Sequence, residues 1–377
     1  MLRLALKMLY GDRAKYAMLL CGLAFCSLLI TQQSSVFCGI MMWTTATIRN
    51  IDAPVWVADR KVQQVNESVP IRDIEVSRVR SVEGVEWAVP LYLGGIQAKL
   101  GDGSFQQVQL TGLDASSLVG RPAKVVAGRI EDLRLPNAVA VDQVTVEKFL
   151  RKGQRLRVGS VFEINDREAR VVALCEVARS FLGQPYIYTT YERALEYAPK
   201  QRKQLSYVLA KPRPGVAPEE LARRIGRLDG LRAVARDDFF WETVWWYVKN
   251  TGIPVSFGTV VILGMVVGIA IAGQTFYLFV HENLRFMAAL KAMGARFSVL
   301  AGMVFLQAFA VGAVGYGLGV GAAAWFGRSV IPRGQPPFFM PWQILVFSGA
   351  VIVVICCLSA LIGLVKIARA EPAMVFK

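Results

Sequence analysis

Four long apolar stretches of this chain, Ala17 to Trp43, Ile253 to Val280, Ser298 to Phe326 and Ile344 to Val365, contain no Asp, Glu, Lys or Arg. A helix rises about 1.5 Å per residue, so about 20 apolar residues cross a hydrocarbon core of about 30 Å. Each stretch exceeds that length, and the pattern predicts four membrane-spanning helices. Between the first and the second, charge returns from Thr44 to Asn250. That interval is long enough for a folded extramembrane domain of roughly 200 residues.

Inside the interval the apolar period changes repeatedly. Val76, Val79 and Val82 recur at helical spacing over Glu75 to Val82, and Gly84 then stops the helix before an extended run from Val85 to Leu93. Gly95 to Leu100 and Phe105 to Leu110 read as strands joined at Gly101, Asp102 and Gly103, a hairpin turn. Ala138 to Val141, Arg155 to Val158, Val161 to Ile164 and Arg170 to Leu174 read as short strands, with a helix over Val144 to Leu150. Pro218 to Leu228 reads as a helix with proline in its first turn, and Leu231 to Ala235 as a strand after Gly230. The expected fold is therefore four spans plus a large α+β domain outside the membrane.

Basic residues fix the expected orientation. Arg3, Lys7, Arg13 and Lys15 precede the first span, Arg285, Lys291 and Arg296 lie between the second and third, and Lys366, Arg369 and Lys377 follow the fourth. Such residues gather on the cytoplasmic side, so both termini are expected there and the α+β domain on the far side. Arg328, Arg333 and the prolines 332, 336, 337 and 341 suit a short outer connection. Residues 1–16 read either as an amphipathic helix on the inner surface, with Leu2, Ala5, Leu6 and Leu9 on one side, or as a simple basic flank. The first apolar run is about 27 residues with no small-residue cleavage pattern after it, which marks an anchor and not a secretory signal.

The net charge of +15, from 43 Lys plus Arg against 28 Asp plus Glu, is spread over these flanks and the outer domain. It forms no basic stripe, which argues against nucleic-acid binding. No charged residue lies near a span centre, which argues against proton or ion coupling within the spans. Their polar residues, Gln32, Gln33, Ser34 and Ser35, then Gln274 and Thr275, then Gln307, suit hydrogen bonds between helices. Gly264 with Gly268, and Gly315 with Gly319, form small-residue pairs that serve either packing within one chain or contact with a second copy.

Catalytic chemistry is not indicated. His281 is the sole histidine, Cys175 is the one cysteine of the outer domain, and no metal-ligand spacing or G-x-x-x-x-G-K-[ST] phosphate loop is present. No catalytic, metal or cofactor site is expected, and Cys175, if exposed, would offer a thiol on the outer face. Two segments invite binding instead. Between spans two and three, over residues 282–295, Leu284, Met287, Leu290 and Met293 recur at helical spacing with Phe286 beside them, and Gly294 ends the helix. This helix either docks on a partner or rests on lipid headgroups. Before span two, Phe239, Phe240, Trp241, Trp245, Trp246 and Tyr247 suggest an aromatic belt at the outer interface or the lining of an entrance for an amphiphile.

The order of one span, a large outer domain carrying "VEGVEWAVP", "VQLTGLD" and "GRI", three further spans and a short tail resembles the permeases of the MacB/FtsX superfamily, the type VII ABC transporters. The likeness is strongest in "ENLRFMAALKAMGARFSVL", similar to the family's E-x-x-x-L-K-A-x-G segment, and in the terminal "EPAMVFK"; the wording resembles the DevC-like exporter permeases. It implies a MacB-like periplasmic core domain over 44–250 and an FtsX-like permease domain over 253–377. It also implies a bacterial inner-membrane permease subunit that is not itself an enzyme. ATP and magnesium would bind a separate cytoplasmic ATPase, whose movement reaches the outer domain by mechanotransmission. Glu282, Leu284, Arg285, Phe286, Met287, Leu290, Lys291, Met293 and Gly294 would form the coupling segment. A homodimer is implied, with spans one and two facing their copies, and a periplasmic adaptor and outer-membrane channel are further implied partners. Two other readings stay open: extraction of lipoproteins or lipids, and signalling to a cell-wall hydrolase.

Overall fold

The computed structural model describes residues 13–100, 102–198, 204–331 and 336–368. The expected amphipathic helix of residues 1–16 and the "EPAMVFK" tail lie almost wholly or wholly outside them. The chain forms two compact units. One holds Met41–Thr251, and the other holds the described residues up to Ile40 with those from Gly252 onward.

The second of these is all helix. α1 (Arg13–Thr44) is followed, after the Met41–Thr251 unit, by α8 (Ile253–Glu282), α9 (Leu284–Ala292), α10 (Phe297–Val330) and α11 (Trp342–Ala368). Four of these, α1, α8, α10 and α11, are long and apolar enough to cross a membrane. Leu23, Cys26, Ile30, Phe276, Val304, Val311, Ile355 and Ala360 fill their shared core. Within helices that are apolar all round, small residues decide which side turns inward.

The Met41–Thr251 unit starts with α2 (Ala46–Asn50) and β1 (Val55–Asp59), then α3 (Ile74–Arg80), β2 (Val85–Lys99), β3 (Phe105–Leu113), β4 (Lys124–Gly128) and a 3-10 turn at Ile130–Arg134. β5 (Ala138–Asp142), α4 (Gln143–Arg151), β6 (Val161–Ile164), β7 (Arg167–Glu176), β8 (Tyr186–Thr190) and α5 (Tyr191–Tyr197) follow. β9 (Tyr207–Pro212), α6 (Pro218–Ile225), β10 (Leu231–Ala235) and α7 (Arg236–Asn250) complete it. The strands form one mixed sheet of order β10-β1-β9-β2-β3-β8-β5-β7-β4, with β6 bridging β2 and β7. β2 pairs with β9 over Val85 to Leu91 and with β3 over Tyr92 to Lys99, so one strand joins both halves.

Successive side chains of a strand point to opposite faces, and β1 shows the result. Val55 and Val57 enter a core with Val79 of α3, Phe149 of α4, Tyr197 of α5 and Leu221 of α6. Trp56 and Ala58 enter a second core with Ile48 of α2, Leu133 of the 3-10 turn and Phe239 of α7. Both faces of the sheet are thus covered by helical segments. That is why β1, β8 and β9, buried on both faces, carry no polar alternation for a sequence reading to detect. The expected strands Val85 to Leu93 and Gly95 to Leu100 are one strand. The expected strand at Arg155 to Val158 is irregular, because its amides close local turns: Arg157 N donates to Ser160 Oγ (2.9 Å) and Ser160 N to Arg157 O (2.9 Å).

Cys175 does not offer an exposed thiol. It is 1% exposed in the second core, its Sγ donates to Val141 O (3.3 Å), and burial raises its pKa. Beside it, Asp142 caps α4, its Oδ1 accepting from Thr145 N (2.7 Å) and Thr145 Oγ1 (2.6 Å). Burial pushes its carboxyl up from 3.8 to about 6, against the pull of those hydrogen bonds. Between these two values the folded chain holds a proton that the unfolded chain has lost, so stability falls as pH rises through this window and levels off above it. Thermal unfolding followed from pH 4 to pH 7 should show this decline, and Asp142→Asn, which keeps the capping oxygen, should flatten it.

Candidate coupling helix and span-packing sites

α9 is a nine-residue helix held at both ends by its own backbone. Met287 N donates to Asn283 O (3.0 Å) at the start, and Ala295 N to Leu290 O (3.0 Å) at the end. There Gly294 takes φ +92°, a left-handed conformation that side chains with a Cβ resist. Met287 and Ala288 are 1% and 2% exposed, and Met287 belongs to the core of its own helical unit, with Leu290 partly buried against it. Phe286 is 66% and Met293 76% exposed, and Arg285 and Glu282 are also exposed. Leu284 and Lys291 are half-buried.

This corrects the expected apolar face. A helix turns about 100° per residue, so each i, i+3 step drifts by about 60°. Leu284, Met287, Leu290 and Met293 consequently fan across half the circumference. The core takes Met287 and part of Leu290, leaving Phe286 and Met293, two turns apart, as the free apolar surface.

The glycine pairs pack within the chain. A Cβ on Gly319 would lie 2.5 Å from Ser27 Cβ and 2.6 Å from Ala24 O, and one on Gly315 would lie 2.9 Å from Leu23 Cβ. α10 therefore meets α1 at near-backbone distance. On α8, Gly268 makes room for side chains instead, a Cβ there lying 2.9 Å from Cys26 Sγ and 3.0 Å from Ile355 Cδ1, whereas Gly264 makes only ordinary contact with Ile30 at 3.7 Å. Ser27 Oγ donates to Tyr316 O (3.2 Å) and Tyr316 Oη to Leu345 O (2.7 Å), tying α1, α10 and α11 together. Gln32 and Gln33 are half-buried and Gln274 is exposed.

The aromatic segment divides along α7. Phe239 is 2% exposed in the domain core, its ring 5.9 Å from Trp56 and 6.2 Å from Tyr207. Tyr247 is buried against Phe181 (5.2 Å), Trp246 Nε1 donates to Gln63 Oε1 (2.9 Å), and Phe240 is half-buried. Only Trp241 and Trp245 are largely exposed. The single-belt expectation fails because Phe239, Thr243 and Tyr247 form an i, i+4, i+8 buried stripe, a signal already present in the spacing. No cluster of metal-ligating side chains occurs among the described residues.

Residues 35–228 match the model of the MacB-like periplasmic core domain, and residues 258–372 that of the FtsX-like permease C-terminal domain. Two uncharacterized ABC transporter permeases, from two strains of Mycobacterium tuberculosis, are each 24% identical over 319 residues, covering 82% of this chain and 80% of theirs. Among solved structures, the periplasmic region of MacB from Actinobacillus actinomycetemcomitans is 15% identical, with a TM-score of 0.40 over 54% of this chain and 96% of that one. The extracellular domain of the noncanonic ABC-type transporter YknZ from Gram-positive bacteria is 13% identical, with a TM-score of 0.35 over 48% and 98%.

Replacing Gly319 by Val should push α10 off α1 and cost about 1–3 kcal/mol, read as a lower melting temperature in detergent. The same change at Gly317, which has nothing within 4 Å of its would-be Cβ, should be nearly neutral.

Proposed function

The chain belongs to the MacB/FtsX family of ABC transporter permeases, and on that premise we propose that it is the permease half of an ATP-driven exporter that works by mechanotransmission. The observation that carries this reading is the divided surface of α9: Met287 and Ala288 lock it into the helical core, while Phe286 and Met293 stand free. A partner gripping the free side would move the spans through the locked side. Helix-in-groove binding uses apolar anchors of this kind.

The partner is a separate cytoplasmic ATPase that supplies ATP and magnesium, since the sequence carries no phosphate-cradling loop. The charge-free spans support an outside source of energy. α1 runs unbroken for 32 residues, about 48 Å, longer than the hydrocarbon core of about 30 Å, which suits a strut between inner and outer faces. We place the protein in the bacterial inner membrane with both termini cytoplasmic, on the strength of the basic flanks.

A homodimer is part of the same proposal. On α8 the exposed residues Leu263, Val267, Gln274 and Leu278 share one side. An amide such as that of Gln274 gains from a hydrogen bond across helices when lipid is the alternative. Contact between two copies along this stripe would supply one.

Phe286→Asp and Met293→Asp should insert and fold normally yet lose most co-purification with the cognate ATPase, whereas Met287→Asp should lower the melting temperature by burying a charge. Retained ATPase binding in both surface variants would refute the docking role. In a cysteine-free background, a cysteine at Arg285 should react with an impermeant thiol reagent only after the membrane is opened, one at exposed Lys124 in intact cells, and one at Gln274 should crosslink to its copy. Labelling at position 285 in intact cells would overturn the orientation, and absence of a crosslink along α8 would remove the stripe as the seam.

A further inference from the structure

The sheet of the Met41–Thr251 unit ends in two open strands that differ in how they are protected. β4 is interrupted by a bulge between Val125 and Ala127, a common device against further strand pairing. β10 has none. It pairs with β1 in unbroken antiparallel register from Leu231 opposite Asp59 to Ala235 opposite Val55, and it contains no proline.

The register shows which backbone groups of β10 face outward. Arg60 N donates to Gly230 O (3.2 Å) and Arg236 N to Pro54 O (2.9 Å). These bonds bracket the strand, and because hydrogen-bonded pairs alternate in an antiparallel ladder, residues 232 and 234 make the bonds to β1. The N–H and C=O of Ala233, the C=O of Leu231 and the N–H of Ala235 therefore point away from β1. The Leu231 N–H is taken by Leu228 O (3.3 Å). Ala233 presents both a donor and an acceptor, the unit from which another strand pairs.

These groups open into a slot of about 1110 Å³, floored by β10 and walled by α6 and α7. Trp241 and Trp245, one turn apart on α7 and 57% and 56% exposed, give one wall a flat apolar surface. Arg60, Arg223, Arg227, Arg232 and Lys249 line the slot against three carboxylates. Of those, Glu242 pairs with Arg232, and Glu219 and Asp238 sit in the first turns of α6 and α7, where the helix dipole favours negative charge. No carboxylate lies within ion-pair distance of Arg60, Arg227 or Lys249 among the described residues, so the slot is electropositive.

We infer that this slot binds an extended, acidic polypeptide segment, which adds to the sheet as a strand beside β10. Main-chain bonds to Ala233 hold it, the two tryptophans cover its apolar side chains, and the unpaired cations meet its carboxylates. A second copy of this chain is disfavoured as occupant, because it would bring two electropositive slots together. The site is separate from α9 and does not depend on ATPase docking.

The test uses the full chain in detergent and a fluorescein-labelled octapeptide alternating valine and glutamate, followed by anisotropy. Ala233→Pro removes one outward N–H while leaving the bonds to β1 in place, and should weaken binding about tenfold. Arg60→Glu with Arg227→Glu should weaken it further and reduce its salt dependence. The same peptide N-methylated at alternate residues keeps its charge but cannot pair, and should bind wild-type protein at least about tenfold more weakly; this comparison decides the matter if Ala233→Pro fails to fold. Equal binding of the methylated peptide would reduce the slot to a charged surface and overturn strand addition, as would no detectable binding of the parent peptide. A change in oligomeric state of unliganded Ala233→Pro would identify a second copy as the occupant instead.

Discussion

The membrane unit depends on how closely the backbones of α1 and α10 approach at Gly315 and Gly319. In lipid, apolar side chains gain nothing by leaving their solvent, so helices associate through close van der Waals contact and a few hydrogen bonds. The glycines allow the first, and Ser27 donating to the carbonyl of Tyr316 supplies the second. Once α1 is held there, Gly268 sets α8 against Cys26 and Ile355, and the other spans have fixed neighbours. Met287 then has a core to enter, which is what leaves Phe286 outside.

The Met41–Thr251 unit is organised by a different rule. A sheet covered on both faces needs apolar residues in both directions from each strand, and Trp56, between Val55 and Val57, shows this within three residues. It has no disulfide to rely on, since its one cysteine is buried and free. Its coherence comes from two cores on a single sheet.

The spans were legible in the sequence because an apolar, charge-free run of about 20 residues suits a bilayer crossing and little else. The hairpin at Asp102 and the helices at Glu75, Val144 and Pro218 were legible through turn chemistry and period. β8 and β9 were not, because strands buried on both faces lose the alternation that identifies them. The candidate sites followed the same divide. The position of α9 was readable from its flanking spans, but its outward face was not, because that face is decided by what the helix packs against. Likewise the i, i+4, i+8 spacing of Phe239, Thr243 and Tyr247 carried the signal of a buried stripe, but its partners were not legible, because only the fold brings Trp56 and Tyr207, far away in sequence, around the ring of Phe239.

The fifteen residues of β2 extend for about 50 Å, bonded to β9 along one part and β3 along the other. A force directed along such a strand loads its ladder bonds in shear, all together, whereas a force across it peels them apart one after another. The unit is therefore mechanically anisotropic, stiff along β2 and compliant across it.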